Sequence, residues 1–184
     1  MTAPVLHRHS TGLLIIDVQE RLYPYLERPC EVLHAMQQTI KGFQILGLPI
    51  IVSEQYPQGL GSTIPAIKQL LPKDQIYLTK TSFSCLGDAQ TKKHLLDLKI
   101  SQWVLIGIEA HVCVLQTAKA LHNEGKAVVV LNDAISSRSI YDLSTSIGEM
   151  RDARIRVSSV ETILFELVAD SKAAEFKQIS TLVK

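Results

Sequence analysis

The chain has 184 residues, 46% hydrophobic and 20% charged, with a formal net charge of +1. That length and balance suit one soluble globular domain with a real core, and offer nucleic acid no basic stripe. No apolar run approaches the roughly 20 residues of a membrane helix, and the opening MTAPVLHRHS has no secretory h-region.

The first ten residues are expected to be a flexible lead into a single domain spanning 1–184. TGLLIID (11–17) reads as a buried strand ending in a carboxylate. Val32, Met36, Ile40 and Phe43 are helix-spaced, with Gly47 as terminator and Pro49 beyond it. LPIIVSE (48–54) is too short for a helix and rich in Ile and Val, which predicts a strand. QYPQGLGSTIP (55–65) has the Gly and Pro density of a loop. QIYLT (75–79) leads to Lys80, and Asp88 is placed to cap a helix reaching Leu98. WVLIGI (103–108) predicts a buried strand, followed by a helix over 112–124. KAVVVLND (126–133) is another strand, 142–151 a helix and RIRVSS (154–159) a strand. Ser158 and Glu161 form a capping box for a helix over 160–168. A last helix puts Phe176, Ile179 and Val183 on one side, which one small domain is expected to leave partly uncovered.

Alternating strands and helices, with strands apolar on both faces, predict an α/β fold. It is a three-layer sandwich of about six parallel strands with helices on both faces, Rossmann-like in topology. In such sheets ligands bind outside the carboxyl ends of the strands. Asp17, Glu54, Lys80, Glu109 and Asp133 all fall at predicted carboxyl ends, and Cys113 just beyond one. Cys113 is either a nucleophile near a helix start, where the dipole favours thiolate, or a small buried apolar residue. Asp17 is either a general base or a cap, and Lys80 either its cation or a surface lysine. Cys30 reads as structural, and Cys85 as a pocket or packing residue.

The three cysteines form no CxxC, so they read as free thiols of a reducing compartment, with the cytoplasm as default. The six histidines are scattered. No HExxH, paired Cys/His spacing, GxGxxG or GxxxxGK[ST] occurs, so neither metal nor cofactor is expected.

LLIIDVQ (13–19), the lysine of TKTSFS (79–84) and GIEAHVCV (107–114) together resemble the isochorismatase-like cysteine hydrolase superfamily. EQYPQGLGSTIP (54–65), DAISSRS (133–139) and VETILFELVAD (160–170) look closest to the branch called isochorismatase domain-containing proteins. The resemblance implies a triad of Asp17, Lys80 and Cys113, and an oxyanion hole from the backbone N–H groups of Glu109 and Cys113. It also implies a cis peptide between Ile108 and Glu109. Gln19, Gln55, Tyr56, Phe83 and His111 are substrate-binding candidates by closeness to these motifs. Nicotinamidases of the superfamily carry an Asp-x-His metal element after the second strand; here that region reads SEQYPQG, without histidine. Members that hydrolyse isochorismate lack the nucleophilic cysteine, so Cys113 points to C–N cleavage of a small amide, carbamate or imide. A non-catalytic partner-binding protein that keeps the triad and a thiol redox sensor are the alternatives; the sensor would need Cys85 as resolving cysteine. The resemblance also implies a homodimer or larger homo-oligomer. Neither a nucleic-acid nor a membrane partner is expected.

Overall fold

The computed structural model describes residues 5–184. Six parallel strands form one sheet in the order β3-β2-β1-β4-β5-β6. They are β1 (Thr11–Ile16), β2 (Ile50–Gln55), β3 (Tyr77–Lys80), β4 (Gln102–Ile108), β5 (Ala127–Ser136) and β6 (Arg156–Ser158). Both faces of β1 and β4 are buried along their whole length, which is why their sequences run apolar without alternation.

One face packs against α1 (Pro29–Ile45), joined in the same core by α7 (Val160–Val168) and α8 (Phe176–Leu182), through Met36, Phe43, Leu164 and Ile179. The other face carries α4 (Ala89–Asp97), α5 (Leu115–Asn123) and α6 (Ile140–Asp152), through Leu95, Leu121 and Met150. Helix α1 stops at Gly47, whose φ of +66° any side chain would resist. Asp88 caps α4 by accepting from the Gln90 and Thr91 N–H groups.

Several expectations are corrected. The 55–65 loop holds a helical turn, α2 (Pro57–Leu60), and runs into a second, α3 (Pro65–Lys68), each with proline at its first position. Proline there costs no helix hydrogen bond. The capping box at α7 does not form: the residue before α7 is Ser159, without a side-chain cap. The first N–H, of Val160, instead goes to the Asp133 carboxylate, at 3.0 and 3.2 Å. Asp133 thus lies inside a longer β5 and holds a helix start. The apolar side of α8 is covered within the chain, since Ile179 is fully buried and Phe176, Leu182 and Val183 pack on the first core. The N-terminal segment is tied down from Leu6 onward. Its N–H donates to Glu166, and Arg8 donates to the Leu167 carbonyl and to Glu175. Residues 1–4 lie outside the described residues. Among the described residues no helix is long and apolar enough to cross a membrane.

Candidate active site

The strand order reverses direction between β1 and β4, since the chain runs outward through β2 and β3 before returning to β4 beside β1. Carboxyl ends at such a switch point splay apart and leave a crevice. Asp17 follows β1 there, Lys80 closes β3, and Cys113 lies beyond β4.

The three side chains meet. The Lys80 ammonium donates to Asp17 Oδ2 at 2.6 Å, with both side chains wholly buried. It also donates to Gln55 Oε1 at 2.8 Å and to the carbonyls of Phe83 at 3.0 Å and Ser82 at 3.2 Å. Ser53 donates its hydroxyl to Asp17 Oδ1 at 2.7 Å. The Cys113 thiol lies beside the same carboxylate and is only 4% exposed. Asp17 itself sits at φ +55°, a left-handed turn that swings its side chain off the strand line.

Cys113 does not open α5 itself. It is the fourth residue of a π-helical turn, Ala110–Val114, that opens into α5. Widened turns of this kind recur at functional sites. Before the turn, Gly107 takes φ +150°, and a Cβ there would meet the Ile16 carbonyl oxygen at 2.3 Å. Glycine is therefore required for β4 to lie this close to the end of β1. Glu109 follows in the left-handed region, at φ 53° and ψ 57°. No described peptide bond is cis, so the Ile108–Glu109 bond is trans. Gly107 and left-handed Glu109 make the turn without it.

The electrostatics also correct the expectation of a low thiol pKa. Burial pushes the Cys113 thiol well above the ordinary cysteine range, and the Asp17 carboxylate adds to this. Lys80 opposes them but is already paired. Burial works to lower the Lys80 pKa, yet the Asp17 charge beside it holds the net value above normal. The resting combination is thiol, carboxylate and ammonium. At neutral pH, iodoacetamide should therefore label exposed Cys30 before Cys113 in the free protein, as peptide mapping would show. Faster labelling of Cys113 would contradict this resting state.

The pocket candidates divide. Gln19 donates to the Gln55 and Gly61 carbonyls and accepts from the Gln55 N–H, so its amide ties the β1 and β2 ends together. Gln55 holds Lys80 and donates to the Thr81 carbonyl. Tyr56 and Phe83 are about half exposed in the loops after β2 and β3. His111 Nδ1 lies 2.9 Å from the Ser137 hydroxyl, with the Glu109 and Asp142 carboxylates 3.9 and 3.8 Å from Nε2. Glu109 in turn accepts two bonds from Arg138. Sequence reading missed Ser53 and Arg138. A serine inside the apolar run IIVS was the available sign for the first; nothing local marked the second.

Glu54 accepts from both the N–H and the hydroxyl of Thr63, so it fastens a loop. Among the described residues no group of three or more His, Cys, Asp or Glu is placed to hold a metal ion. A cavity lined by Ile51, Asp74, Ile76 and His94 shares no residue with this site.

The isochorismatase domain family matches residues 11–162. The chain belongs to that family. Isochorismatase domain-containing protein 1 of Danio rerio is 35% identical over 91% of this chain. The chain spans about three fifths of that relative, 59%, and 61% of the Salmo salar protein of the same name. Human isochorismatase domain-containing protein 2 is 33% identical over 95% of this chain and 83% of its own length. Among solved structures, MAR1 ribonuclease from Caenorhabditis elegans superposes with a TM-score of 0.91 at 34% identity, covering 98% of this chain and 92% of its own. The Escherichia coli YcaC product, described as an octameric hydrolase of unknown specificity, has a TM-score of 0.90, covering 96% of this chain and 88% of its own. At 20% identity it carries the fold alone.

Proposed function

We propose that this isochorismatase-family protein is a cysteine-dependent hydrolase that cleaves the C–N bond of a small amide, carbamate or imide through a thioester on Cys113. One observation carries the reading: a thiol set beside a buried carboxylate whose two oxygens are held by Lys80 and Ser53. A carboxylate so fixed has its remaining acceptor capacity aimed at one proton, that of the thiol.

Asp17 takes the Cys113 proton as sulfur attacks the carbonyl carbon. The N–H groups of Glu109 and Cys113 hold the oxyanion. Asp17 then gives the proton to the leaving amine as the C–N bond breaks, leaving a thioester. Water adds to the thioester with Asp17 again as base, and the acid leaves as the thiol is restored. Because proton transfer and attack proceed together, a raised thiol pKa in the free protein is compatible with the chemistry. Tyr56, Phe83 and His111 are proposed to wall the substrate, while Gln19 and Gln55 hold the frame.

The probe is p-nitrophenyl acetate, a small activated acyl donor. Peptide mass mapping should find an acetyl group on Cys113, and none there in Cys113→Ala. Acetylation confined to Cys30 rejects the assignment, and a wild type as inert as Cys113→Ala favours the non-catalytic binder. A panel of small amides and imides then defines the substrate. The C. elegans relative is described as a ribonuclease. A net charge of +1 and a nucleophile 4% exposed fit a small acyl group better than an RNA strand. RNA cleavage by wild type and not by Cys113→Ala would overturn the C–N reading.

Self-association belongs to the same proposal. Tyr25, Tyr56, Phe83, Ile140 and Tyr141 leave large apolar surfaces exposed on the segments that follow β1, β2, β3 and β5. Light scattering should give a mass of two chains or more at micromolar concentration; the mass of one chain rejects it.

A further inference from the structure

We propose that Ser53 is a positioning residue for the base Asp17. The inference rests on the hydrolase reading above and adds one residue to it.

Ser53 holds Asp17 twice. Its backbone carbonyl accepts from the Asp17 N–H at 3.2 Å, and its hydroxyl donates to Oδ1 at 2.7 Å. Parallel pairing of Ile16 with Ser53 fixes this register. Both residues are fully buried, so no water substitutes for either bond. A serine hydroxyl has one proton and can point it either way. If it pointed elsewhere, two oxygens would face each other across 2.7 Å.

With Lys80 on Oδ2 and Ser53 on Oδ1, the carboxylate cannot rotate. Without Ser53 it would be free to turn about its Cβ–Cγ bond, and its remaining lone pairs would no longer be aimed at the thiol.

The test measures acetyl transfer from p-nitrophenyl acetate to Cys113 at neutral pH, with maximal rate and Michaelis constant fitted separately, for wild type, Ser53→Ala, Ser53→Thr and Asp17→Asn. Ser53→Ala should lower the maximal rate about tenfold and leave the Michaelis constant within about twofold. Ser53→Thr keeps the donor and should stay within about threefold of wild type. A merely structural role would lower thermal stability and leave the maximal rate of the folded protein in place. If Asp17→Asn is slow but Ser53→Ala keeps the wild-type rate, the positioning role is wrong and the hydrolase reading stands. A wild type never acetylated at Cys113 overturns both.

Discussion

Asp17→Asn should slow acyl transfer to Cys113 by about 10³-fold, within the 10²–10⁴ range that a positioned general base contributes. Asparagine nearly matches aspartate in shape, so the β1 turn and the Ser53 contact have a near-isosteric group to fit. What it lacks is the charge and the second acceptor oxygen. It cannot take the thiol proton, and its NH₂ group would face either the Lys80 ammonium or the Ser53 hydroxyl, both of which now donate to Asp17. The Michaelis constant should change little, because Asp17 is fully buried behind Cys113 and acts through the proton. Nitrophenolate release with single-turnover fitting reads both numbers. A loss under tenfold would mean that another group accepts the proton, and His111 would be the first to test.

Lys80→Ala should destabilise the fold by about 3–5 kcal/mol, the usual cost of removing one partner of a buried pair. The Asp17 charge would stay buried with the Ser53 hydroxyl as its remaining side-chain donor. Gln55 Oε1 and the Ser82 and Phe83 carbonyls would also lose the donor they share. The acyl-transfer rate should fall as well, by about 10²-fold, because the base is no longer held on two sides. Lys80→Arg should recover only part of either loss, since a planar fork does not fill a site shaped for a compact ammonium with four acceptors. The sign of the pH dependence follows from the raised Lys80 pKa. Stability from a raised base is fully present below the unfolded value, about 10.4, and disappears as pH climbs through the folded value. The difference between wild type and Lys80→Ala should thus stay flat across neutral and mildly alkaline pH and shrink only in strong alkali. Urea titrations at several pH values check this. A difference under 1 kcal/mol at neutral pH would show that the pair contributes nothing net.

The apolar runs at 11–16, 50–55 and 102–108 identify strands because nothing but a sheet covered on both faces hides them. The motif order DVQ, TKTSF, IEAHVC marks the residues that the sheet later gathers, since carboxyl ends of parallel strands share one edge. Local periodicity was a weaker guide at the ends of elements. Ser158 and Glu161 have the spacing of a capping box, yet Asp133, 27 residues from Val160, reaches the helix start first. Likewise an apolar stripe on the last helix looks unpartnered in one dimension and is covered once α1 is beside it.

What the amino-acid order by itself determined is the α/β alternation, the family and the short list of Asp17, Lys80 and Cys113. Those follow from hydrophobic period and motif wording, which are properties of neighbours along the chain. Only the tertiary structure decided the state of that list. The thiol pKa depends on how much water reaches Cys113 and on the distance to Asp17, and burial outweighs any benefit from a helix start. The role of Gln19 and Gln55 as frame, and the hold of Ser53 and Lys80 on Asp17, are contacts between segments tens of residues apart. Hydrogen bonds of that kind leave no period in a sequence, because each needs only one polar atom at one point in space.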